Sequence, residues 1–462
     1  MSSPYVRPLD LDPDQVRAFA ASQPYGFVLD SGQSPEGWQF VGWRPRWTLT
    51  CRGELRILCR DGELETSRGP ALESLRTVLA AWRLDPEGVT PPFWGGGVGF
   101  LSYDLGWQLE RLPRRIEDDL GTPELSWAFY DAVVAIPTIG TPLLCITPAP
   151  GERLEDMDAK RAAWERELRS LPTPEPVPAG RAAGTPRATF SRDAYMRSVE
   201  TILDHIAAGD LYQANLSQRF AIPFEGDAFG WFEALRAHNP APFAAFLNWP
   251  DMTVVSSSPE RFIRLHAGRV ETAPIKGTRP RGKTPAEDQA LAHTLATSLK
   301  DRAEHLMIVD LERNDLGRVC RIGSVHVPER FVLEAHPTVW HLVSTVAGQL
   351  PPERDEVDLL AATFPGGSIT GAPKLRSMEI LEGLEPTRRG LYTGSIGYLG
   401  RAGQLDLNIA IRTAILKDGT AYLQVGGGIV ADSDPAAEYQ ETLDKARAFF
   451  RTLGVETACE LS

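Results

Sequence analysis

The chain has 462 residues, room for one large domain or two ordinary ones, and its 42% hydrophobic and 24% charged content is that of a soluble globular protein. A formal charge of −13 argues against a nucleic-acid or anionic-membrane surface, because counterion release needs clustered cations and none are prominent; a local basic pocket can still meet a small anion. Cysteines stand apart at 51, 59, 145, 320 and 459 without CxxC or metal-ligand spacing, and no apolar run reaches signal-peptide or membrane-span length, so a reduced, cytoplasmic setting is expected.

Residues 1–170 read as mixed structure. Positions 25–32 predict a strand running into a turn and 41–47 a short extended piece. The glycine-rich stretch 93–103 predicts a closely packed strand rather than a phosphate loop, since neither GxGxxG nor GK[ST] follows. Residues 153–171 predict an exposed helix. Residues 171–189, with Pro172, Pro174, Pro176, Pro178 and Pro186, predict a linker or long surface crossing that divides this region from a second one at 190–455. There Ser191 N-caps a periodic segment (Tyr195, Val199, Ile202, Leu203, Ile206) that Gly209 closes. An alternating strand at 211–220 follows, then strands at 243–249 and 252–257 and one long helix at 286–317. Further strands are expected at 337–347, 391–399, 404–415 and 420–430, with a final helix at 434–453.

Several polar clusters invite chemistry. Lys276 lies in Glu271-Thr-Ala-Pro-Ile-Lys-Gly-Thr-Arg-Pro-Arg-Gly282, which reads as stiff and turn-rich. A desolvated lysine near other cations, here Arg279 and Arg281, loses its proton near neutral pH and becomes a nucleophile or base, whereas a solvated one is an ordinary loop cation. Asp301 and Glu304 share a helix face at i,i+3, as do Glu438 and Glu441. Each pair alone is a solvated face; converged, the four suit Mg²⁺ held by one or two carboxylates, water and an anionic substrate. Asp310, Arg313, Asn314 and Asp315 read as capping and ion pairing at a helix end. The turn Phe364-Pro-Gly-Gly-Ser-Ile-Thr-Gly-Ala-Pro-Lys374, with a helix start after Pro373, and the strand end Gly426-Gly-Gly-Ile-Val-Ala-Asp432 offer backbone N–H groups to an anion, or are turns only.

Gly209-Asp-Leu-Tyr-Gln-Ala-Asn-Leu-Ser, Ser258-Pro-Glu260, Pro274-Ile-Lys-Gly-Thr-Arg-Pro-Arg-Gly282, Glu304-His-Leu-Met-Ile-Val-Asp-Leu-Glu-Arg-Asn-Asp315, His341-Leu-Val-Ser, Gly367-Ser-Ile-Thr-Gly-Ala-Pro-Lys374 and Gly426-Gly-Gly-Ile-Val-Ala-Asp-Ser433 stand in the order seen in chorismate-utilising enzymes. The chain resembles that family strongly over 190–453 and weakly before. The resemblance implies an α+β fold of two large, mostly antiparallel β-sheets packed as a sandwich with helices outside. Lysine at 276 resembles the members that form 4-amino-4-deoxychorismate on the route to 4-aminobenzoate and folate; anthranilate synthases generally carry alanine there and are the nearest alternative. Isochorismate and salicylate synthases use a lysine elsewhere to activate water. A non-catalytic chorismate-binding subunit is the alternative from another class, and the intact set Glu260, Lys276, Glu304 and Glu441 counts against it.

By the same resemblance, Lys276 attacks ring carbon 2 of chorismate, Glu260 protonates the leaving 4-hydroxyl, and ammonia then adds at carbon 4 and expels the lysine. That chemistry implies a raised pKa for Glu260 and a lowered one for Lys276, each through burial and neighbours. Glu304 and Glu441 would bind Mg²⁺, with Asp301 and Glu438 nearby; His341, Ser368 and Thr370 would lie beside the ring. Tyr392, Arg412, the backbone of Gly426, Gly427 and Gly428, and Lys445 would hold the substrate's carboxylates. No cysteine stands in a Gly-x-Cys-x-Gly motif, so ammonia is expected from a separate glutamine amidotransferase subunit or from solution; with no added lyase domain after residue 453, pyruvate elimination is expected from another enzyme. A tryptophan pocket is implied with Ser31 on one side and Pro242, Phe243 and Ala244 on the other; Leu29-Asp-Ser-Gly32 departs from the fuller Leu-Leu-Glu-Ser pattern of feedback-regulated members.

Overall fold

Alternation along single strands sorts the apolar side chains into three layers. Phe27 and Leu29 face one core while Val28 between them faces another, and Ala245 and Leu247 part from Phe246 in the same way. Across the molecule Ala128 and Tyr130 face the first core, and Trp127 and Phe129 a third. A period of two on strands buried on both faces requires two sheets sharing one core, each covered outside by helices. The computed structural model has that architecture and describes residues 4–32, 34, 36–84, 91–173 and 178–455; Pro174 and Pro176 of the expected linker and Cys459 lie outside the described residues.

Among the described residues one sheet has 13 strands and the other 12, and the strand ladders are antiparallel. In the larger, Gly26–Asp30 pairs with Phe243–Trp249, which leads through Met252–Ser258, Thr413–Lys417 and Thr420–Ile429 to Gln213–Glu225. In the smaller, Ile275–Pro280 pairs with Val339–Gln349, and the order continues through Arg269–Ala273, Arg261–His266, Leu405–Asn408 and Ser395–Gly400 to Gly96–Leu101. Strands from both sides of residues 171–189 thus enter both sheets. That crossing itself adds Arg181–Ala182 and Arg187–Ala188 to the edge of Gln213–Glu225. Helices Arg192–Ala207, Ala228–His238 and Pro435–Thr452 cover the larger sheet through Tyr195, Val199, Trp231, Phe232, Leu443 and Phe449, each worth roughly 1.5–3 kcal/mol on burial. Helices Ala71–Trp82, Leu299–Gly317 and Glu356–Thr363 cover the smaller one. No helix among the described residues is long and apolar enough to cross a membrane.

Three sequence expectations change. The helix expected at 286–317 is two, Pro285–Thr297 and Leu299–Gly317, because Ser298 is extended (φ −64°, ψ 111°) and its side chain accepts from Asp301 N. The strand expected at 404–415 is also two, Leu405–Asn408 and Thr413–Lys417, one in each sheet, with the chain turning at Arg412 (φ 50°). Lys276 lies on a sheet-edge strand rather than in a turn-rich loop.

Candidate active site

The site forms where the chain crosses between sheets. Ser258-Pro259-Glu260 leads from the larger sheet to the smaller, and 409–412 leads back. The two crossings are stitched by Ile409 N to Glu260 O (3.0 Å), Ser258 Oγ to Ile409 O (2.6 Å) and Ser257 N to Arg412 O (2.9 Å). Glu260 and Arg412 are thereby held between the sheets. Glu260 is 4% exposed, and burial raises its pKa against the opposing pull of Ser368, the Ile275 amide, Lys276 and Lys445. Burial lowers the Arg412 guanidinium, with Tyr392 and Glu441 opposing.

Lys276 arrives from the other sheet on a β-bulge. Ile275 pairs with Val343 and Thr278 with His341, so three steps on one strand face two on its partner. Gly277 absorbs the difference at φ +83°. A bulge turns the local side chain out of the regular alternation, and this one sends Lys276 toward the larger sheet. A Cβ on Gly428 would lie 3.3 Å from Lys276 Nζ. Burial lowers the lysine's pKa and Lys445 adds to the effect; Glu304, Glu260 and Glu441 oppose it without a hydrogen bond to any of them. A lysine pushed toward its neutral amine near a carboxyl pushed toward its protonated form pairs a nucleophile with an acid.

Acidic groups gather at the other end. Glu304 and Glu438 are raised, chiefly by burial and further by Glu441; Glu441 is lowered, chiefly by Lys445, whose Nζ is 2.6 Å from Glu441 Oε1 and 2.7 Å from Gly426 O. A Cβ on Gly427 would lie 2.9 Å from Glu438 Oε2 and 3.7 Å from Glu441 Oε1, so these carboxylates crowd one strand end. Glu438 Oε2 is buried without a hydrogen-bond partner. Asp301 pairs with Arg279 (2.7 Å). Among the described residues no three His, Cys, Asp or Glu groups alone could hold an ion. An unpartnered buried carboxylate oxygen and two acids raised by a third fit Mg²⁺, which takes one or two carboxylates and completes its shell with water and substrate oxygens.

The remaining expected residues are held with varied freedom. Ser368 Oγ is buried beside Glu260 and lacks a well-formed hydrogen bond. Thr370 donates within its own turn, 3.2 Å to Gly366 O and to Gly367 O. His341 Nδ1 is 3.0 Å from Thr278 Oγ1, and burial, with His336 and Arg412, lowers its pKa to about 4, so the ring is neutral at neutral pH. Tyr392, raised to about 12 by burial, stands over Gly426, whose Cβ would meet its hydroxyl at 2.9 Å. Sequence reasoning passed over Gln213. It is fully buried, neither its amide oxygen nor its nitrogen has a partner, and its Nε2 would lie 2.8 Å from a Cβ on Gly428, beside Lys276. A polar side chain at an inward strand position was the signal available. Asp315 makes an ion pair, as expected of its cluster, with Lys374 at 2.5 Å, and it does so buried, at 3% exposure, rather than on the surface of a helix end.

Away from these groups, a cavity of about 350 Å³ opens between the sheets. It joins Ser31 to Pro242, Phe243 and Ala244, with Arg261, Asp406 and Tyr398 on its walls. The Ser31 hydroxyl is engaged by its own hairpin, 2.8 Å to Trp38 O and 2.6 Å from Trp38 N.

Residues 27–451 match the chorismate binding enzyme family. The chain is 42% identical to an aminodeoxychorismate synthase component 1 of Klebsiella aerogenes, over 98% of this chain and 100% of that protein. It is 40% identical to an anthranilate synthase component 1 of Thermus thermophilus, over 95% and 94%. The crystal structure of anthranilate synthase component I from Streptococcus pneumoniae superposes with a TM-score of 0.79 at 33% identity, covering 89% of this chain and 91% of that one.

Proposed function

The chain belongs to the chorismate binding enzymes, and we propose that within them it converts chorismate and ammonia to 4-amino-4-deoxychorismate, supplied with ammonia by a separate glutamine amidotransferase subunit. The observation that carries this reading is Lys276 Nζ, which enters the gap between the sheets with its charge disfavoured by burial, next to a buried Glu260 whose proton is favoured. A hydroxyl leaves only when protonated, and displacing it needs a neutral nucleophile at the ring; these two side chains answer both needs.

Arg412, Tyr392, the backbone at Gly426, Gly427 and Gly428, and Lys445 hold the substrate's carboxylates. Glu304 and Glu441, with Asp301 and Glu438 nearby, would hold Mg²⁺, which would supply positive charge for the ring carboxylate. Lys276 Nζ forms a bond to ring carbon 2 as the double bonds shift and the bond from carbon 4 to oxygen breaks; Glu260 gives the departing oxygen its proton, releasing water. Glu260, now a carboxylate, takes the proton shed by the new secondary amine. Ammonia then bonds to carbon 4, the bond from carbon 2 to nitrogen breaks, and Glu260 returns a proton to the lysine. The product's ammonium restores Glu260. His341, neutral at neutral pH, and Ser368 border the ring.

Anthranilate synthase is the second reading, favoured by the similarity to the Thermus and Streptococcus proteins. It would place nitrogen on carbon 2 and eliminate pyruvate. Incubation with chorismate, Mg²⁺ and ammonium, with products separated and identified by mass, tests the choice: 4-amino-4-deoxychorismate supports the proposal, and anthranilate or isochorismate would overturn it. The cavity between Ser31 and Phe243 takes tryptophan in this reading, and native mass spectrometry of the purified protein tests its occupancy.

A further inference from the structure

We propose that Glu312, assisted by Asp315 and Lys374, is a positioning residue that clasps the glycine turn 366–370 and so holds Ser368 against Glu260. The inference rests on the reading of Glu260 as the proton donor.

The geometry joins two sequence clusters that the reaction otherwise leaves unused. Glu312 and Asp315 lie one turn apart on the helix Leu299–Gly317, both 3% exposed. Gly367 N donates to Glu312 Oε1 at 3.1 Å. On the other flank Lys374 Nζ donates to Asp315 Oδ2 (2.5 Å), Pro365 O (2.8 Å) and Thr363 O (3.2 Å). The far end is fixed by Asn215 N and Ser377 Oγ, which both donate to Thr370 O, at 3.0 and 2.9 Å. A Cβ on Gly367 would lie 3.0 Å from Glu312 Oε1 and 2.9 Å from the Leu311 side chain, so glycine at this position lets the clasp close without moving either side chain. With both flanks and the end fixed, the hydroxyl left uncommitted is that of Ser368, which lies beside Glu260.

A buried carboxyl is an expensive way to fasten a turn. Burial and the neighbouring Asp315 push Glu312 up toward its protonated form, whose carbonyl oxygen still accepts from Gly367 N. Glu260 is faced by Ser368 from this turn, by Lys276 and the Ile275 amide from the edge strand, by Lys445 from the last helix and by Glu312 from its own helix. Ser368, the Ile275 amide, Lys276 and Lys445 all favour its ionised form against burial, Ser368 most of them. If the clasp opens, Ser368 withdraws and Glu260 holds its proton to higher pH.

Comparing Glu312→Gln with Glu312→Ala isolates the clasp, because both lack the carboxyl and only glutamine can still accept from Gly367 N. Glu312→Gln should stay within about threefold of the unsubstituted kcat. Glu312→Ala should lower kcat about tenfold with little change in KM, and move the alkaline limb of the rate to higher pH than in Glu312→Gln. In a Ser368→Ala background the difference between the two should vanish. If Glu312→Ala does not fold, Lys374→Gln loosens the same turn from its other flank and takes its place. Equal rates and pH profiles for the two variants, or a difference that persists undiminished without the Ser368 hydroxyl, would overturn the inference alone. An unsubstituted enzyme that makes no product from chorismate would overturn the proposed function and this inference with it.

Discussion

A Cβ on Gly428 would lie 3.3 Å from Lys276 Nζ and 2.8 Å from Gln213 Nε2, so a glycine of the larger sheet floors the space in which the smaller sheet's amine works. Gly428→Ala should therefore displace two flexible side-chain ends while leaving the strand intact. Melting temperature should change little, and kcat/KM should fall about tenfold or more, since small misplacements of reacting groups are costly. Steady-state kinetics beside a thermal melt check both parts.

Glu260 should set stability against activity. Its folded pKa is raised above an ordinary 4.5, so its contribution to stability is complete below that value and is lost as pH rises through the folded one. Glu260→Gln cannot ionise and escapes the loss. Its melting temperature should gain on the unsubstituted protein as pH rises above 4.5 toward the raised folded value, while kcat falls by about 10²–10⁴ as the acid is removed. Melts at several pH values with matched rate measurements show whether the two move in opposite directions.

Lys445 is the nearby cation that adds to burial in lowering Lys276. Without it Lys276 keeps its proton to higher pH. Lys445→Gln should thus move the limb of the rate profile that requires a neutral amine toward alkaline pH, so that activity lost at neutral pH partly returns on raising the pH. A pH–rate series on this variant tests that direction.

If Mg²⁺ completes the acidic end, chelation should abolish turnover and added Mg²⁺ restore it. Glu304→Gln should raise the Mg²⁺ needed for half-maximal rate by about tenfold or more, and Glu438→Gln should raise it less. Mg²⁺ titrations of activity for each variant separate the two.

The candidate site is legible in the sequence through resemblance, because Glu260, Lys276 and Glu304 sit in ordered motifs like those of chorismate-utilising enzymes and Glu441 lies one turn beyond Glu438 on the helix after the last of them; taken alone, each reads as an ordinary surface charge. The opposed proton affinities of Glu260 and Lys276 follow from the same chemistry and are those of the fold. What places them is not legible. The strand pairings that interlace the two halves, and the bulge at Lys276, depend on contacts far apart in sequence. The helix break is available in principle: Ser298-Leu-Lys-Asp301 carries an N-cap serine, yet the apolar pattern runs through it. Leu405–Asn408 and Thr413–Lys417 read as one strand because both alternate, and only the left-handed Arg412 parts them. Gln213, and the burial of Asp315 with its ion-pair partner, escape for one reason: whether a polar side chain is buried, and whether with a partner, is a tertiary fact.

The central claim is a covalent bond between Lys276 and the substrate ring. The most direct measurement is the mass of the intact protein, with peptide mapping, after rapid quenching with chorismate and Mg²⁺ in the absence of ammonia. The account predicts a gain equal to chorismate less one water, located on Lys276, lost on adding ammonium and absent from Lys276→Ala. An unmodified Lys276 in protein that turns over at full rate when ammonium is supplied would contradict it.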